Sequence, residues 1–276
     1  MKNTMKITSA MKMVSSVKLH KAQAAVGGLL PYQKSLDGIL KKLLESTDFP
    51  NLNMGDLSCI RPSESAAKVA VVVISSNNSL CGAFNANITR RFHLLVEELG
   101  AEGVSPDQID LYALGARFAE SAARSGYTPL EKMDALSDKP DYEAASSLAD
   151  TLVGRFSKGE VSRVILLYSH FVSATSQQVL CDDFLPYVIE QNAEGEISDC
   201  IVEPDPMSLL KALMPKVKLY AVLLDANAAE HAARTLAMQI ATDNAEDLIG
   251  ELTLAYNKGR QQEITAEILD LAAGMQ

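Results

Sequence analysis

The feature that most constrains the fold is a proline-free stretch from Lys216 to Ala273, directly after Pro215. Because proline favours the first turn of a helix, and only Gly250 and Gly259 weaken the stretch, it predicts one helix roughly 85 Å long. That length is about three times the width of a small domain. We therefore expect this helix to pack on a second long element rather than on a small sheet alone.

A second long helix is predicted at the N-terminus, from about Asn3 to Leu44. Its apolar residues follow the alternating three-and-four spacing of a coiled-coil seam. The predicted seam consists of Ala22, Ala25, Leu29, Tyr32, Leu36, Ile39 and Leu43, continued upstream by Ile7, Met11 and Val14. Pro31 follows Gly27 and Gly28, and proline removes a backbone donor, so we expect a kink in this helix.

The two predicted helices carry opposite charges within a chain of net charge −10. Residues 1–42 hold eight lysines and one acid, whereas residues 225–276 hold nine acids and three bases. This complementarity predicts an antiparallel coiled coil of residues 5–40 with about 216–260, beyond which the C-terminal helix projects. The acidic total disfavours nucleic acid as a partner, because phosphate binding needs a cationic face.

Between the two helices, strand patterns alternate with helix patterns. Strands are predicted at Val69–Ser75, Ile109–Leu114, Val161–Tyr168, Gln177–Phe184 and Cys200–Glu203. Helices are predicted at Asn85–Glu98, Ala116–Arg124 and Tyr142–Phe156. This order predicts an α/β domain with a central, mainly parallel sheet and helices on both faces.

Four regions follow from these patterns. They are an N-terminal coiled-coil helix (1–45), a linker rich in Asn, Pro, Gly and Ser (46–67), a central α/β domain (68–205) and a C-terminal coiled-coil helix (206–276). No apolar stretch is long enough to cross a membrane, so we expect no direct membrane insertion. The four cysteines (Cys59, Cys81, Cys181 and Cys200) are widely spaced, which argues against a disulfide scaffold or a zinc site.

The sequence contains no recognisable catalytic motif. The four histidines (His20, His93, His170 and His231) lie in separate predicted elements without the spacing of metal ligands. The turn Ser75–Asn85 joins a strand to a helix N-terminus, where α/β folds bind anions, but it lacks the G-x-G-x-x-G glycines. We interpret it as a structural turn, Cys81 within it as packed, and the adjacent Asp182 and Asp183 as solvated. We predict no enzyme activity, no cofactor and no metal.

Polar residues interrupt the apolar stripe of the C-terminal helix. Arg234 lies in an alanine-rich stretch, and two polar bands follow at Thr242–Asn244 and Asn257–Gln262. A two-stranded coil does not need polar residues across its seam. The bands are either solvated surface or a surface that faces the loops of a third partner around the helix pair.

Four segments resemble a known family. They are Lys2–Val14 (KNTMKITSAMKMV) with Lys18–Gln23 (KLHKAQ), Ser79–Asn87 (SLCGAFNAN), Ala241–Ala245 (ATDNA), and Leu254–Gln261 (LAYNKGRQ) followed by Ile264 and Thr265. Together they resemble, in order along the chain, the signatures of the gamma subunits of F-type ATP synthases. In that family a Rossmann-like domain lies between two terminal helices that form an antiparallel coiled coil.

The resemblance implies a rotor subunit in the central stalk of a proton-translocating ATP synthase. The coil would lie inside a ring of alternating alpha and beta subunits, and the central domain would contact the epsilon subunit and the ring of c subunits. Proton flow would turn the shaft, and ATP chemistry would take place on the neighbouring subunits. The chain itself would be a non-catalytic, peripheral subunit at the cytoplasmic face of a bacterial inner membrane.

The resemblance also implies partner-contact residues. Met11 would lie against the moving lever of a beta subunit, and Arg260 and Gln261 would meet an acidic catch loop of beta. An arginine suits that contact because its guanidinium can bind a carboxylate through two parallel hydrogen bonds. Arg234 and Thr265 would belong to the same coupling region.

The sequence departs from the family at two places. Asn77-Asn78-Ser79 replaces the more usual Asp-Arg-Gly before Leu80, and Met1 stands where family members carry further residues. The cysteine-bearing insertion of chloroplast gamma chains has no counterpart, so thiol control is not expected. Two alternatives remain: a small-molecule-binding α/β protein with helical oligomerisation arms and a pocket near Asn77–Gly82, and a free-standing coiled-coil scaffold that forms a homodimer.

Overall fold

A computed structural model describes residues 1–45, 68–186 and 206–273 of the 276-residue chain. The helices are α1 (Lys2–Glu45), α2 (Phe84–Ala101), α3 (Ala116–Arg124), α4 (Asp134–Asp138), α5 (Tyr142–Ser157) and α6 (Pro206–Ala273). The strands are β1 (Val69–Ile74), β2 (Ile109–Leu114), β3 (Glu131–Lys132), β4 (Arg163–Phe171) and β5 (Gln177–Leu185). A short 3-10 turn, Pro106–Gln108, precedes β2.

The strands form one mixed sheet in the order β3-β2-β1-β4-β5. Strand β1 is parallel to β2 and to β4, with Val72 opposite both Tyr112 and Leu166. Strand β5 is antiparallel to β4. The central position of β1 explains its uninterrupted apolar sequence, because every residue is buried on one face or the other. The predicted mainly parallel sheet is confirmed.

Two strand predictions have different outcomes. Strand β3 was missed, because its two exposed, charged residues, Glu131 and Lys132, show no strand pattern. The strand predicted at Cys200–Glu203 lies outside the described residues.

Helices cover both faces of the sheet, as predicted. On one face, Leu148 and Leu152 of α5 pack against the strands together with residues of α6. On the other face, Ile88 and Phe92 of α2 pack with Phe118 of α3. Each face therefore has its own apolar core.

The start of the C-terminal helix was predicted wrongly. Helix α6 begins at Pro206 and continues through Pro215 rather than starting after it. Helix α1 likewise continues through Pro31. One missing backbone donor does not end a helix whose following turns are buried, as Met214 and Val217 are in α6.

Helix α6 is buried against the central domain in addition to its predicted packing on α1. Leu219, Val222, Leu223 and Ala226 join the core on the α5 face. Further along, Ala229 joins the core on the opposite face, so α6 passes the edge of the sheet. The physical reason is that this part of α6 carries two apolar stripes, one for the sheet and one for α1.

Helices α1 and α6 form the predicted antiparallel pair. Leu19 and Ala22 of α1 pack with Ala228 and Ala232 of α6. Nearer the start of α1, the Thr242 hydroxyl donates to the Thr8 hydroxyl at 2.9 Å. Residue numbers rise along one helix as they fall along the other, which is the antiparallel arrangement.

The seam of α1 differs in part from the prediction. The buried residues are Ser15, Leu19, Ala22 and Leu36, whereas the predicted seam residues Ile7, Val14, Ala25 and Tyr32 are exposed. The side chains of Ile39 and Leu43 lie outside the described part of the structure. The spacing of large apolar residues does not identify this seam. The buried seam contains small and polar residues, and several large apolar residues lie on the outer face of α1.

The opposite charges of α1 and α6 act without direct ion pairs. Among the side chains that the structure describes, no salt bridge joins the two helices. The described contact between the two helices is instead apolar, made by Leu19 and Ala22 with Ala228 and Ala232.

Candidate partner interface

The C-terminal part of α6 extends beyond α1. Because Thr8 lies beside Thr242, the first residue of α1 lies level with about residue 249 of α6. From residue 250 to residue 269 every residue except Gly259 is exposed. We call residues 250–273 the projecting segment.

Large apolar side chains lie on every side of the projecting segment. Leu254 and Tyr256 are 72% and 71% exposed. The other exposed apolar residues are Leu252, Ile264, Ile268 and Leu269. At 100° per residue these six positions are spread around the helix axis. Polar residues lie between them, so the segment has no single apolar face that one neighbouring helix could cover.

Arg260, Gln261 and Thr265 form an exposed polar band on the projecting segment. The Thr265 hydroxyl donates to the Gln261 carbonyl oxygen at 2.7 Å. Within the described residues, no hydrogen bond or ion pair holds the side chains of Arg260 and Gln261. Both remain available to a partner.

Arg234, in contrast, is buried and paired inside the chain. Its Nη1 donates to Glu230 Oε1 at 2.7 Å, and its Nη2 donates to the Asn78 carbonyl oxygen at 3.3 Å. Burial raises the pKa of Glu230 although the Arg234 charge opposes the rise. Arg234 therefore fastens the turn after β1 to α6. It lies roughly 40 Å along the helix from Arg260, so the structure does not bring these two residues together.

Met11 and Arg234 both line a cavity of about 410 Å³ between α1, α6 and the turn after β1. We call it the coil–turn cavity. Val14 and Leu80 line it as well, and both are exposed. Leu80 has a φ of 68°, which is rare for a residue with a branched side chain and costs of order 1–3 kcal/mol. The surrounding turn holds this apolar residue outward in a strained conformation.

Comparison with known proteins identifies the family. A sequence model of the family described as ATP synthase matches residues 1–276. A relative from Bacteroides fragilis, named ATP synthase gamma chain, is 46% identical over 281 residues and covers 99% of this chain and 94% of the relative. A relative of the same name from Chlorobium phaeobacteroides is 33% identical over 276 residues, with 99% and 93% covered. The chain belongs to the ATP synthase gamma chain family.

Solved structures agree with this family at the level of the fold. The central stalk and c-ring structure of the Tetrahymena thermophila mitochondrial ATP synthase contains a chain that matches with a TM-score of 0.56 at 20% identity. That match covers 86% of this chain and 99% of the other. A chain of the Euglena gracilis mitochondrial enzyme matches with a TM-score of 0.56 at 15% identity, covering 100% and 94%.

The family assignment does not favour the alternative of a small-molecule-binding protein, and the turn after β1 agrees. The Ser76 backbone N–H donates to Asn85 Oδ1 at 3.2 Å. Asn77 accepts from the Ala116 N–H at 3.0 Å and donates to the Asp134 carbonyl at 2.7 Å. The polar groups of the turn are thus bonded within the chain. These bonds support the interpretation of a structural turn.

The other candidates from the sequence are bonded or packed. Asp182 accepts from the Tyr168 hydroxyl at 2.8 Å, and Asp183 pairs with Arg163 at 2.6 Å. Asp183 is exposed, as interpreted from the sequence, whereas Asp182 is half-buried, and each has a partner on β4. Cys81 is 2% exposed, which confirms that it is packed.

Two further features are absent from the described residues. These residues contain no group of three side chains arranged to hold a metal ion. Nor do they contain a helix long and apolar enough to cross a membrane.

Sequence reasoning missed Leu80 and His231 as cavity residues. His231 was assigned no role because it has no ligand spacing, and Leu80 looks like an ordinary turn residue. The departure at Asn77-Asn78-Ser79 was the available signal, since it marks this turn as unusual.

Proposed function

We propose that the chain is the rotating shaft of the central stalk in a bacterial F-type ATP synthase. It couples proton flow through the membrane part of the enzyme to ATP synthesis or hydrolysis on the neighbouring subunits. The chain is non-catalytic in this proposal, and ATP and its magnesium ion are bound by the beta subunits.

The observation that carries the proposal is the projecting segment. An isolated helix of about 20 residues is marginally stable in water, and here the exposed side chains include Leu254 and Tyr256. Enclosure by a ring of alpha and beta subunits would bury this apolar surface on all sides. It would also allow an axial helix to turn, because contact with a ring is not tied to one face.

The central domain is the natural foot of such a shaft. It is held to the coil through the core shared by the sheet and α6, in which Leu219 and Leu223 are almost fully buried. A torque applied to the domain is therefore transmitted to α6 through packed side chains. The epsilon subunit and the ring of c subunits are the proposed partners of this end, at the cytoplasmic face of the inner membrane.

The proposed contacts with beta subunits fall into two groups. Arg260, Gln261 and Thr265 form the upper group, where an acidic loop of beta can accept hydrogen bonds from the free guanidinium. Met11 belongs to a lower group, beside the coil–turn cavity. Arg234 acts in the lower group by holding the turn that carries Leu80 rather than by reaching a partner itself.

The double variant Arg260→Ala/Gln261→Ala tests the proposal. After reconstitution with alpha, beta and epsilon, we expect ATP hydrolysis and proton-driven synthesis to fall about tenfold or more, since each charge-assisted hydrogen bond contributes roughly 1.5–3 kcal/mol. Nucleotide affinity at the beta subunits should change less. Arg260→Lys is the matched control, because it keeps the charge and loses only the two-pronged geometry, and its activity should be intermediate.

Two results would contradict the proposal. Wild-type rates in a fully assembled double variant would remove the polar band from the coupling mechanism. Failure of the wild-type chain to assemble with alpha and beta subunits would remove the shaft function altogether.

A further inference from the structure

The coil–turn cavity has a polar wall, of which the proposed shaft function uses only Arg234. Lys18 of α1, Arg117 of α3 and Arg234 of α6 contribute three cations to its lining, and Asp138 contributes the one carboxylate. Its volume of about 410 Å³ is large enough for a phosphate group together with several waters. The wall is assembled from four elements that are far apart in sequence.

His231 provides an independent sign of a ligand. The side chain is 3% exposed and lines the cavity, and its Nδ1 is buried with no hydrogen-bond partner. Leaving a buried polar nitrogen unpaired is unfavourable, and such groups in folded proteins normally have a partner. Because the His231 ring lines the cavity, a 180° flip of the ring toward a ligand bound there would supply that partner.

The field inside the cavity favours an anion. Burial lowers the pKa of His231 to about 4, and the positive charges of Arg234 and Lys18 lower it further, opposed only by Asp138. The imidazole is thus neutral at neutral pH and can carry its proton on Nδ1 as a donor. The positive potential at His231 persists although Glu230 pairs with Arg234.

Donors remain available on the cationic side chains. A guanidinium has five N–H donors, and Arg234 uses one on Glu230 and one on the Asn78 carbonyl oxygen. The Lys18 ammonium has no ion pair or hydrogen bond among the described residues. A ligand with several acceptor oxygens would satisfy these donors and His231 together.

We propose that the coil–turn cavity binds a small tetrahedral oxyanion of the inorganic phosphate class, held by Lys18, Arg234 and His231. The bound oxyanion would link α1 to α6 and to the turn after β1 at the lower beta-contact group. This site goes beyond the shaft function, and its test does not depend on assembly with other subunits.

The test is a titration of the full-length chain with inorganic phosphate by isothermal calorimetry, at constant ionic strength set with chloride. We expect saturable binding in the millimolar range. Lys18→Ala should weaken it about tenfold, because a charge-assisted hydrogen bond is lost. Lys21→Ala is the matched control, since Lys21 is an exposed lysine on the same helix outside the cavity, and it should change binding less than about twofold.

A second variant addresses the buried donor. His231→Gln should weaken phosphate binding while circular dichroism confirms that the chain is folded, and His93→Gln should leave binding unchanged. Equal weakening by Lys18→Ala and Lys21→Ala would show a general charge effect and overturn the site. Absence of saturation in the wild-type chain would overturn it as well.

Discussion

The two ends of the described α6 are both helical, but one end is buried and the other is exposed. Between Met214 and Met238, α6 is largely buried, and Leu223 is 1% exposed. In the projecting segment, Leu254 is 72% exposed. Both parts contain large apolar side chains. The first part is stabilised by its own chain, whereas the second part leaves apolar surface exposed.

Polar side chains show the same contrast. In the buried part, Asn227 donates to the Ser137 carbonyl at 3.0 Å and Arg234 reaches Asn78, so both side chains tie α6 to other elements. In the exposed part, the Thr253 and Thr265 hydroxyls bond to carbonyl oxygens of their own helix, each at 2.7 Å. The buried part is thus fixed in orientation by the fold, whereas these two hydroxyls of the exposed part reach no other element.

The largest effect is expected for Arg234→Ala. It removes the partner of Glu230, whose side chain is 5% exposed, and breaking a buried ion pair costs about 3–5 kcal/mol. Urea unfolding of the isolated chain measures this loss. The double replacement Arg234→Met/Glu230→Leu should recover most of it, because no unpaired charge remains buried. If the double variant recovers none of the free energy of unfolding, the loss comes from the Asn78 contact instead.

A matched pair of leucines sharpens the comparison. Leu223→Ala leaves a cavity between α6 and the sheet and should lower the free energy of unfolding by about 2–5 kcal/mol. Leu254→Ala should change it by less than about 0.5 kcal/mol in the isolated chain. Thermal unfolding of both variants tests the difference. Similar losses would show that the projecting segment folds back onto its own chain in solution.

His231 gives the buried part a pH dependence. Its pKa of about 4 in the folded chain lies below the unfolded value of 6.5, so the unfolded chain binds the proton more readily. The free energy of unfolding should have its full value above pH 6.5. It should fall by about 3 kcal/mol as the pH decreases to 4. His231→Gln should flatten the unfolding free energy over this range. An unchanged pH slope would contradict the burial of a neutral imidazole.

The smallest effect is expected at the hydroxyl contact between the two helices. Thr242→Val removes the bond to Thr8 and should cost about 1 kcal/mol. Thr253→Val, in the exposed part, is the control and should be near neutral. A double-mutant cycle with Thr8→Val measures the coupling, and additive losses would mean that the two hydroxyls do not interact.

The sequence predicted the architecture well because its strongest patterns are local. The apolar run of β1 and the helix lengths of α1 and α6 follow from side-chain periodicity and the near absence of proline. The family signatures at Lys2–Val14 and Leu254–Gln261 could also be recognised from the sequence, because each lies in one continuous segment. Only Pro215 gave a wrong helix start, because tertiary burial outweighs a single missing hydrogen bond.

The sequence by itself therefore determined a sheet between two long helices, and a polar band at Arg260 and Gln261 without obvious use in the coil. Only the tertiary structure decided which residues form the seam, why Arg234 is paired inside the chain, and that His231 lines a cavity. These depend on contacts between residues distant in sequence, as between Arg234 and Asn78. A one-dimensional pattern records the period of a helix, but the choice of buried face depends on the neighbour that covers it.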